Sequence, residues 1–459
     1  MDLAGWEQTN MVERIVVPFE GPGAGIGPLT WGQRQVWAAM VESGSSMSMG
    51  GAVPATDGRT VQDYAGELRF FMCRYAAMRT RLRFAADGTV TQEVFGAGET
   101  VLEVHDTAGD DDPAAVAEDL ATRWRAHRFD DAAEWPLRMG VVRHGGAVTH
   151  VVALMCHIAA DLGGVAVMMR ELAGRDPVTG ESAGPVALQP LDLARLQQEP
   201  SAARQTAAAM RYWESHLRTI PASLFGPPAG PADHEGEPRY ARLRWQSRAM
   251  HLASDLVSAR LGADPAWVLL AAFAVGLERL RPGSGPFVAI GIISNRFRPA
   301  LREVVSPITQ DGLCVLDVAG VTAEEAVARA GTASMRASKY AYYDPAARAA
   351  LTERVSRDRG EHLDLTCLYN DRRGPRRPSP VAADPRAARA ETRVLSQEPL
   401  RFLGPKLMVI VEDAPDDVVR MTADVDTHAL SLPDLRTLLH EMEAFVLDTA
   451  AGTGDLLAV

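Results

Sequence analysis

Residues Val148 to Leu172 read V-T-H-V-V-A-L-M-C-H-I-A-A-D-L-G-G-V-A-V-M-M-R-E-L. The run up to Met155 shows little polar alternation, which predicts a central strand buried on both faces. Upstream, Arg138 to Arg143 is joined to Ala147 to Met155 by His144-Gly145-Gly146, a short glycine-containing connection of the kind that closes a β-hairpin. Downstream, Val165, Met168, Met169 and Leu172 recur at i, i+3, i+4 and i+7, one face of a helix that Gly174 can end. Strand, loop and helix thus place His157 at the end of a buried strand and Asp161 at a helix start. A rigid frame of that kind suits a catalytic group.

Working outward, Glu13 to Phe19 reads as a strand and Gly21 to Gly27 as a flexible glycine-rich connection. It is a poor phosphate cradle, because the next helix starts only after Pro28-Leu29, with Thr30 as N-cap and Gln33 closing a capping box. Helices are predicted over Trp31–Met40, Val61–Ala77 and Asp112–His127, and Ser43 to Gly51 reads as a surface segment. The Gly-, Pro- and Ser-rich stretch Gly174 to Ser201 marks a boundary, giving domains of 1–180 and 181–459. In the second half, strands are predicted over Leu243–Leu252, Phe287–Ile293, Leu313–Val318, Leu363–Tyr369, Lys406–Glu412 and Val418–Val425. Helices are predicted over Ala202–Leu217, Asp255–Leu261, Pro265–Leu280, Ala323–Tyr340 and Leu432–Ala450, and 372–393 reads as a mobile crossover. The alternation of types indicates mixed α/β sandwich lobes.

At 459 residues two packed domains are expected. A net charge of −12 argues against nucleic acid as the main partner, since phosphate backbones are bound by basic surfaces. The N-terminus lacks the basic and apolar regions of a secretory signal. The longest strongly apolar run, Trp267 to Leu277, is too short to span a bilayer, so a cytoplasmic monomer with no membrane partner is the expectation. Cys73, Cys156, Cys314 and Cys367 lie far apart without CxxC spacing, which suggests reduced thiols, no disulfide framework and no zinc site.

H-x-x-x-D occurs three times, at His127/Asp131, His157/Asp161 and His251/Asp255. Only His157 follows a buried strand and is followed by glycines. On local pattern alone a satisfied core histidine and a helix-capping aspartate stay open beside a catalytic reading. Cys156 beside a histidine raises nucleophilic catalysis, but neighbours on a strand point to opposite faces, so a Cys156-His157 dyad is not expected.

Taken together, these features resemble a condensation domain of nonribosomal peptide synthesis, in the chloramphenicol-acetyltransferase-like superfamily. Cys156-His157-Ile158-Ala159-Ala160-Asp161-Leu162 stands in place of the family's HHxxxDG, with its second histidine and its aspartate present. Thr30 to Trp37 resembles the opening SxAQxRxW pattern, Met78-Arg79-Thr80-Arg81 resembles LRTR, and Tyr212-Trp213 resembles the YW pair of the second half. Asn295-Arg296 stands at the family's arginine-ending motif, and the likeness spans roughly residues 28 to 447.

The resemblance implies two chloramphenicol-acetyltransferase-like α/β sandwich lobes in a V, with an active site in the tunnel between them. It implies acyl transfer from a phosphopantetheine thioester, on a carrier protein or CoA, to a small-molecule or carrier-bound amine or hydroxyl, with no bound cofactor or metal. His157 would accept or orient the proton, and the amides of Leu162 and Gly163 would face the oxyanion. Asp161 would brace the loop by pairing with Arg296 or Arg79, and Cys156 would pack in the core. A free-standing condensation enzyme is the expectation. The rival reading is a non-catalytic docking module that recruits carrier proteins or tailoring enzymes, to which the basic cluster Arg372, Arg373, Arg376 and Arg377 could also contribute.

Overall fold

Leu137–His144 and Ala147–Met155 pair antiparallel about Gly145-Gly146, whose φ values of 57° and 83° define a two-residue turn twisted like the strands it joins. The structure, a computed structural model, describes residues 12–56, 58–176, 184, 187–226, 238–374, 383–414 and 417–452. The fold is mixed α/β and packs as two compact units, 1–203 with 294–309, and 204–293 with 310–459.

In the first unit the order is β1 (Val12–Glu20), β2 (Gly25–Pro28), α1 (Trp31–Ser43), β3 (Met49–Pro54), α2 (Val61–Arg74), β4 (Thr80–Phe84), β5 (Val90–Val94), β6 (Ala97–Asp106), α3 (Pro113–Ala126), β7 (Leu137–His144), β8 (Ala147–Met155), α4 (Leu162–Ala173) and α5 (Pro190–Leu196). Its main sheet runs β1-β6-β7-β8-β3, and β2-β5-β4 form a smaller one. Alternation along β8 feeds two cores. Val151 packs with Leu68, Phe71 and Met168 on one side, and Val152 with Leu120 and Ala121 on the other. Burial on both faces is why the strand reads as an unbroken apolar run.

Two glycine segments differ from expectation. Part of Gly21–Gly27 is strand β2, and Ser43–Gly51 leads into β3, which pairs with β8. Gly50 lies where a Cβ would fall 2.1 Å from the Ala153 carbonyl oxygen, so glycine there permits close strand approach. The expected cut at 180/181 also differs. The first unit ends inside a helix, Pro200–Leu217, and the distant segment 294–309 rejoins it. Gly32 of α1 sits so near that segment that a Cβ would fall 1.9 Å from the Pro307 carbonyl oxygen.

In the second unit, α6 (Pro200–Leu217) is followed by β9 (Tyr240–Ser247), α7 (Arg248–Leu261), α8 (Pro265–Leu280), β10 (Phe287–Ile293), β11 (Gln310–Leu316), α9 (Ala323–Lys339), α10 (Pro345–Arg359), β12 (Cys367–Asp371), α11 (Pro385–Ala388), β13 (Arg393–Pro399), β14 (Leu407–Ala414), β15 (Val418–Asp426) and α12 (Leu432–Ala451). They build one sheet, β11-β10-β12-β14-β15-β9-β13. Phe287 and Ala289 face a core with α8 and α12, whereas Val288 and Ile290 face Trp213, Tyr343 and Leu351.

The strand expected over Leu243–Leu252 stops at Ser247, because Ser247 Oγ accepts the Met250 N–H at 2.9 Å and starts α7. Ser254, just before the helix expected over Asp255–Leu261, lies inside α7 and donates to the His251 carbonyl. Helix α10 and strand β13 were not foreseen. In the basic cluster, Arg372 pairs with Glu412 and Arg373 with Asp371, so neither presents an unpaired charge; Arg376 and Arg377 lie outside the described residues. Among the described residues no single helix is long and apolar enough to cross a membrane.

Candidate active site around His157 and Asp161

Beyond Met155 the chain leaves the sheet through a tight turn. The Cys156 N–H donates to the Pro136 carbonyl at 2.9 Å, the His157 N–H to the Ser46 carbonyl at 3.2 Å and the Ala159 N–H to the Cys156 carbonyl at 3.1 Å. Within this turn His157 Nδ1 lies 2.9 Å from the Ala160 carbonyl oxygen. A carbonyl only accepts, so Nδ1 carries the proton, and Nε2 of the neutral ring is left with its lone pair. The imidazole is therefore fixed in the tautomer that can take a proton at Nε2.

Asp161 is 3% exposed and caps α4, accepting the Gly164 N–H on Oδ1 at 2.7 Å. The same oxygen pairs with the Arg296 guanidinium. Its Oδ2 accepts the N–H groups of Ile308 and Thr309, each at 3.1 Å, and the Thr309 hydroxyl at 2.8 Å. Arg296 in turn donates to the carbonyls of Arg302 and Val304. With both oxygens engaged, Asp161 ties segment 294–309 to the start of α4, the geometry of a brace.

Of the two arginines weighed for that brace, the structure brings Arg296 to Asp161 and takes Arg79 elsewhere. Arg79 is buried among backbone carbonyls, donating to Gly21 at 3.1 Å, to Pro22 at 2.8 Å and to Phe95. The glycine-rich segment closes over it, and a Cβ on Gly21 would fall 2.6 Å from its guanidinium. Burial holds its pKa below the ordinary arginine value.

Cys156 is 1% exposed and packs with Leu29, Met40, Phe129 and Ile158. Burial pushes its thiol up to about 12, which removes the thiolate a nucleophile needs at neutral pH. Its Sγ lies 3.7 Å from both the Ser46 carbonyl and Asp131 Oδ1, beside a small cavity also lined by Thr80, Leu82 and Pro136.

At the start of α4, Gly164 N–H is engaged by the cap. The N–H groups of Leu162 and Gly163 precede it in the first turn, where a helix supplies no carbonyl partner. Leu162 is 56% exposed, so its side chain stands clear of the core. Gly163 has a different constraint, because a Cβ there would fall 2.1 Å from Arg296 Nε.

The two other H-x-x-x-D sites do not assemble similarly. His127 Nδ1 contacts the Arg123 carbonyl at a helix end, and His251 and Asp255 lie 3.9 Å apart inside α7. Ser46, Ala160 and Thr309, which hold the site together, carry no pattern in the sequence that marks them. They act mostly through backbone groups, which every residue has.

The condensation-domain family model matches residues 25–345. The chain is 29% identical over 306 residues to the isonitrile lipopeptide synthase of Mycobacterium tuberculosis, an alignment covering 61% of this chain and 12% of that protein. The structure of a condensation domain that mediates chain release from the enacyloxin polyketide synthase superposes with a TM-score of 0.70 at 18% identity, covering 94% of this chain and 84% of that one. The X-domain of teicoplanin biosynthesis, solved in complex with OxyB, gives 0.69 at 18% identity over 95% of this chain and 96% of that one. With the match extending over most of its length, this chain belongs to the condensation-domain family.

Proposed function

We propose that this chain transfers an acyl group from a phosphopantetheine thioester, on a carrier protein or CoA, to an amine or hydroxyl acceptor. The observation that carries the reading is the Nδ1 bond of His157 to the Ala160 carbonyl, which leaves Nε2 as a proton acceptor. As an acceptor amine attacks the thioester carbonyl, Nε2 takes its proton; the C–S bond then breaks and the sulfur leaves as a thiol, taking that proton back from Nε2. The amides of Leu162 and Gly163 supply donors for the oxyanion formed on the way. The thioester is already activated, so the step needs no nucleotide.

Purified protein, a loaded acyl-carrier thioester and a panel of amines, followed by mass spectrometry, test it. His157→Ala should lower turnover by about 10²–10⁴-fold. Equal turnover by wild type and variant would remove His157 from the chemistry.

A second reading, a docking module that recruits carrier proteins or tailoring enzymes, is favoured by Leu162, a 56% exposed side chain where the family motif has glycine. Carrier binding by wild type and His157→Ala, with turnover by neither, would select it.

A further inference from the structure

The last pairing between β3 and β8 is Met49 opposite Met155. Extending that register by two residues would set Met47 opposite His157. Instead Met47 turns into the left-handed region at φ 47°, and the carbonyl that receives the His157 N–H belongs to Ser46. The acceptor thus lies one residue off the extended register, beyond the end of the ladder, and the chain turns at a left-handed position filled by methionine where glycine is usual. A side chain at positive φ costs energy, and such outliers persist where surrounding contacts over-determine them.

Those contacts converge on Ser46. It is 3% exposed, and its Oγ accepts the Phe129 N–H at 2.8 Å. Its carbonyl accepts from His157 and also faces Cys156 Sγ. Ser45 Oγ accepts the Met47 N–H at 3.1 Å, closing the turn. The loop between α1 and β3 therefore fixes the backbone on which the His157 ring reaches back to Ala160.

We propose that Ser46 and Met47 are positioning residues for His157: the turn at Met47 places the Ser46 carbonyl so that the imidazole is held in its Nδ1–H tautomer. The proposal rests on His157 being the proton acceptor, and its test separates the two ideas. The full chain is labelled with ¹⁵N-histidine, the His157 ring signals are assigned by their loss in His157→Ala, and kcat and KM are measured with the acyl-carrier thioester. Wild type should show a protonated Nδ1 and an unprotonated Nε2. In Ser46→Ala and in Met47→Val, whose β-branched side chain disfavours the left-handed backbone, both tautomers should appear, with kcat lower by roughly 10- to 100-fold and donor KM within about 2-fold. Ser46→Thr, which keeps the hydroxyl acceptor, should restore the single tautomer. Wild-type ring signals and kcat in both variants, even with a lowered melting temperature, would overturn the proposal. Should Ser46→Ala fail to fold, Met47→Val decides, since it leaves the Phe129 bond in place. Should wild type not turn over at all, the acyl-transfer reading fails, while the ring spectra still decide whether the turn at Met47 sets the tautomer.

Discussion

Asp161 concentrates more hydrogen bonds than any chemical role would require, and its substitution tests that directly. Donors face both carboxylate oxygens, so whichever way an asparagine amide is turned, its NH₂ meets an N–H. Asp161→Asn also leaves the partly buried Arg296 guanidinium without its counter-charge. The variant should lose about 3–5 kcal/mol, read as a lower urea midpoint at unchanged slope. An unchanged midpoint with lost turnover would instead give Asp161 a chemical role. The neighbouring cysteine shows how one motif divides its duties, because Cys156 faces the core while His157 keeps its ring at the turn.

At the scale of elements, the start of α4 and segment 294–309 are matched in shape as well as charge. Gly163 leaves room for the Arg296 side chain, so Gly163→Ala should displace that arginine from Asp161. In an Arg296→Ala background the same change should cost little, giving a coupling of roughly 1–3 kcal/mol in a double-mutant cycle. Additive effects would mean that Gly163 serves only the helix backbone. The hairpin and α4 were legible because their periodicity is strong and their turn is glycine-specific. Helix α10 was not, since only Leu351 and Val355 along it are buried and its apolar face is barely marked. The end of β9 was misread because Trp245, Ala249 and Met250 are all buried, so the apolar pattern runs through the change from strand to helix. The Ser43–Gly51 segment has the composition of a loop, and nothing local reveals that β8 pairs with part of it. Arg296 could be linked to Asp161 only through the family resemblance, because 135 residues separate them.

Across the molecule, part-buried carboxylates set the response to acid, and they do not all act in one direction. The hydrogen bond from His105 holds Glu103 below the usual glutamate range against its burial. Burial pushes Asp364 up, but Lys406 and the hydroxyls of Thr366 and Ser223 outweigh it and hold it below its ordinary value. A folded pKa below the unfolded one adds stability above the unfolded value, and that stability is lost as pH falls through the folded value. With unfolded values of about 4, the melting temperature should hold down to about pH 5 and fall below about pH 4. Asp131 works the other way, because burial beside Cys156 raises its carboxyl in spite of Arg128. Its ionisation is a cost at neutral pH that disappears as acid protonates it. Asp131→Asn should therefore raise the melting temperature at pH 7 by roughly 2 °C and leave it unchanged near pH 3. Asp364→Asn should lower it at pH 7 and flatten the acid limb. Melting curves recorded from about pH 3 to pH 8 separate these outcomes, and variant curves that run parallel to wild type at every pH would refute both assignments.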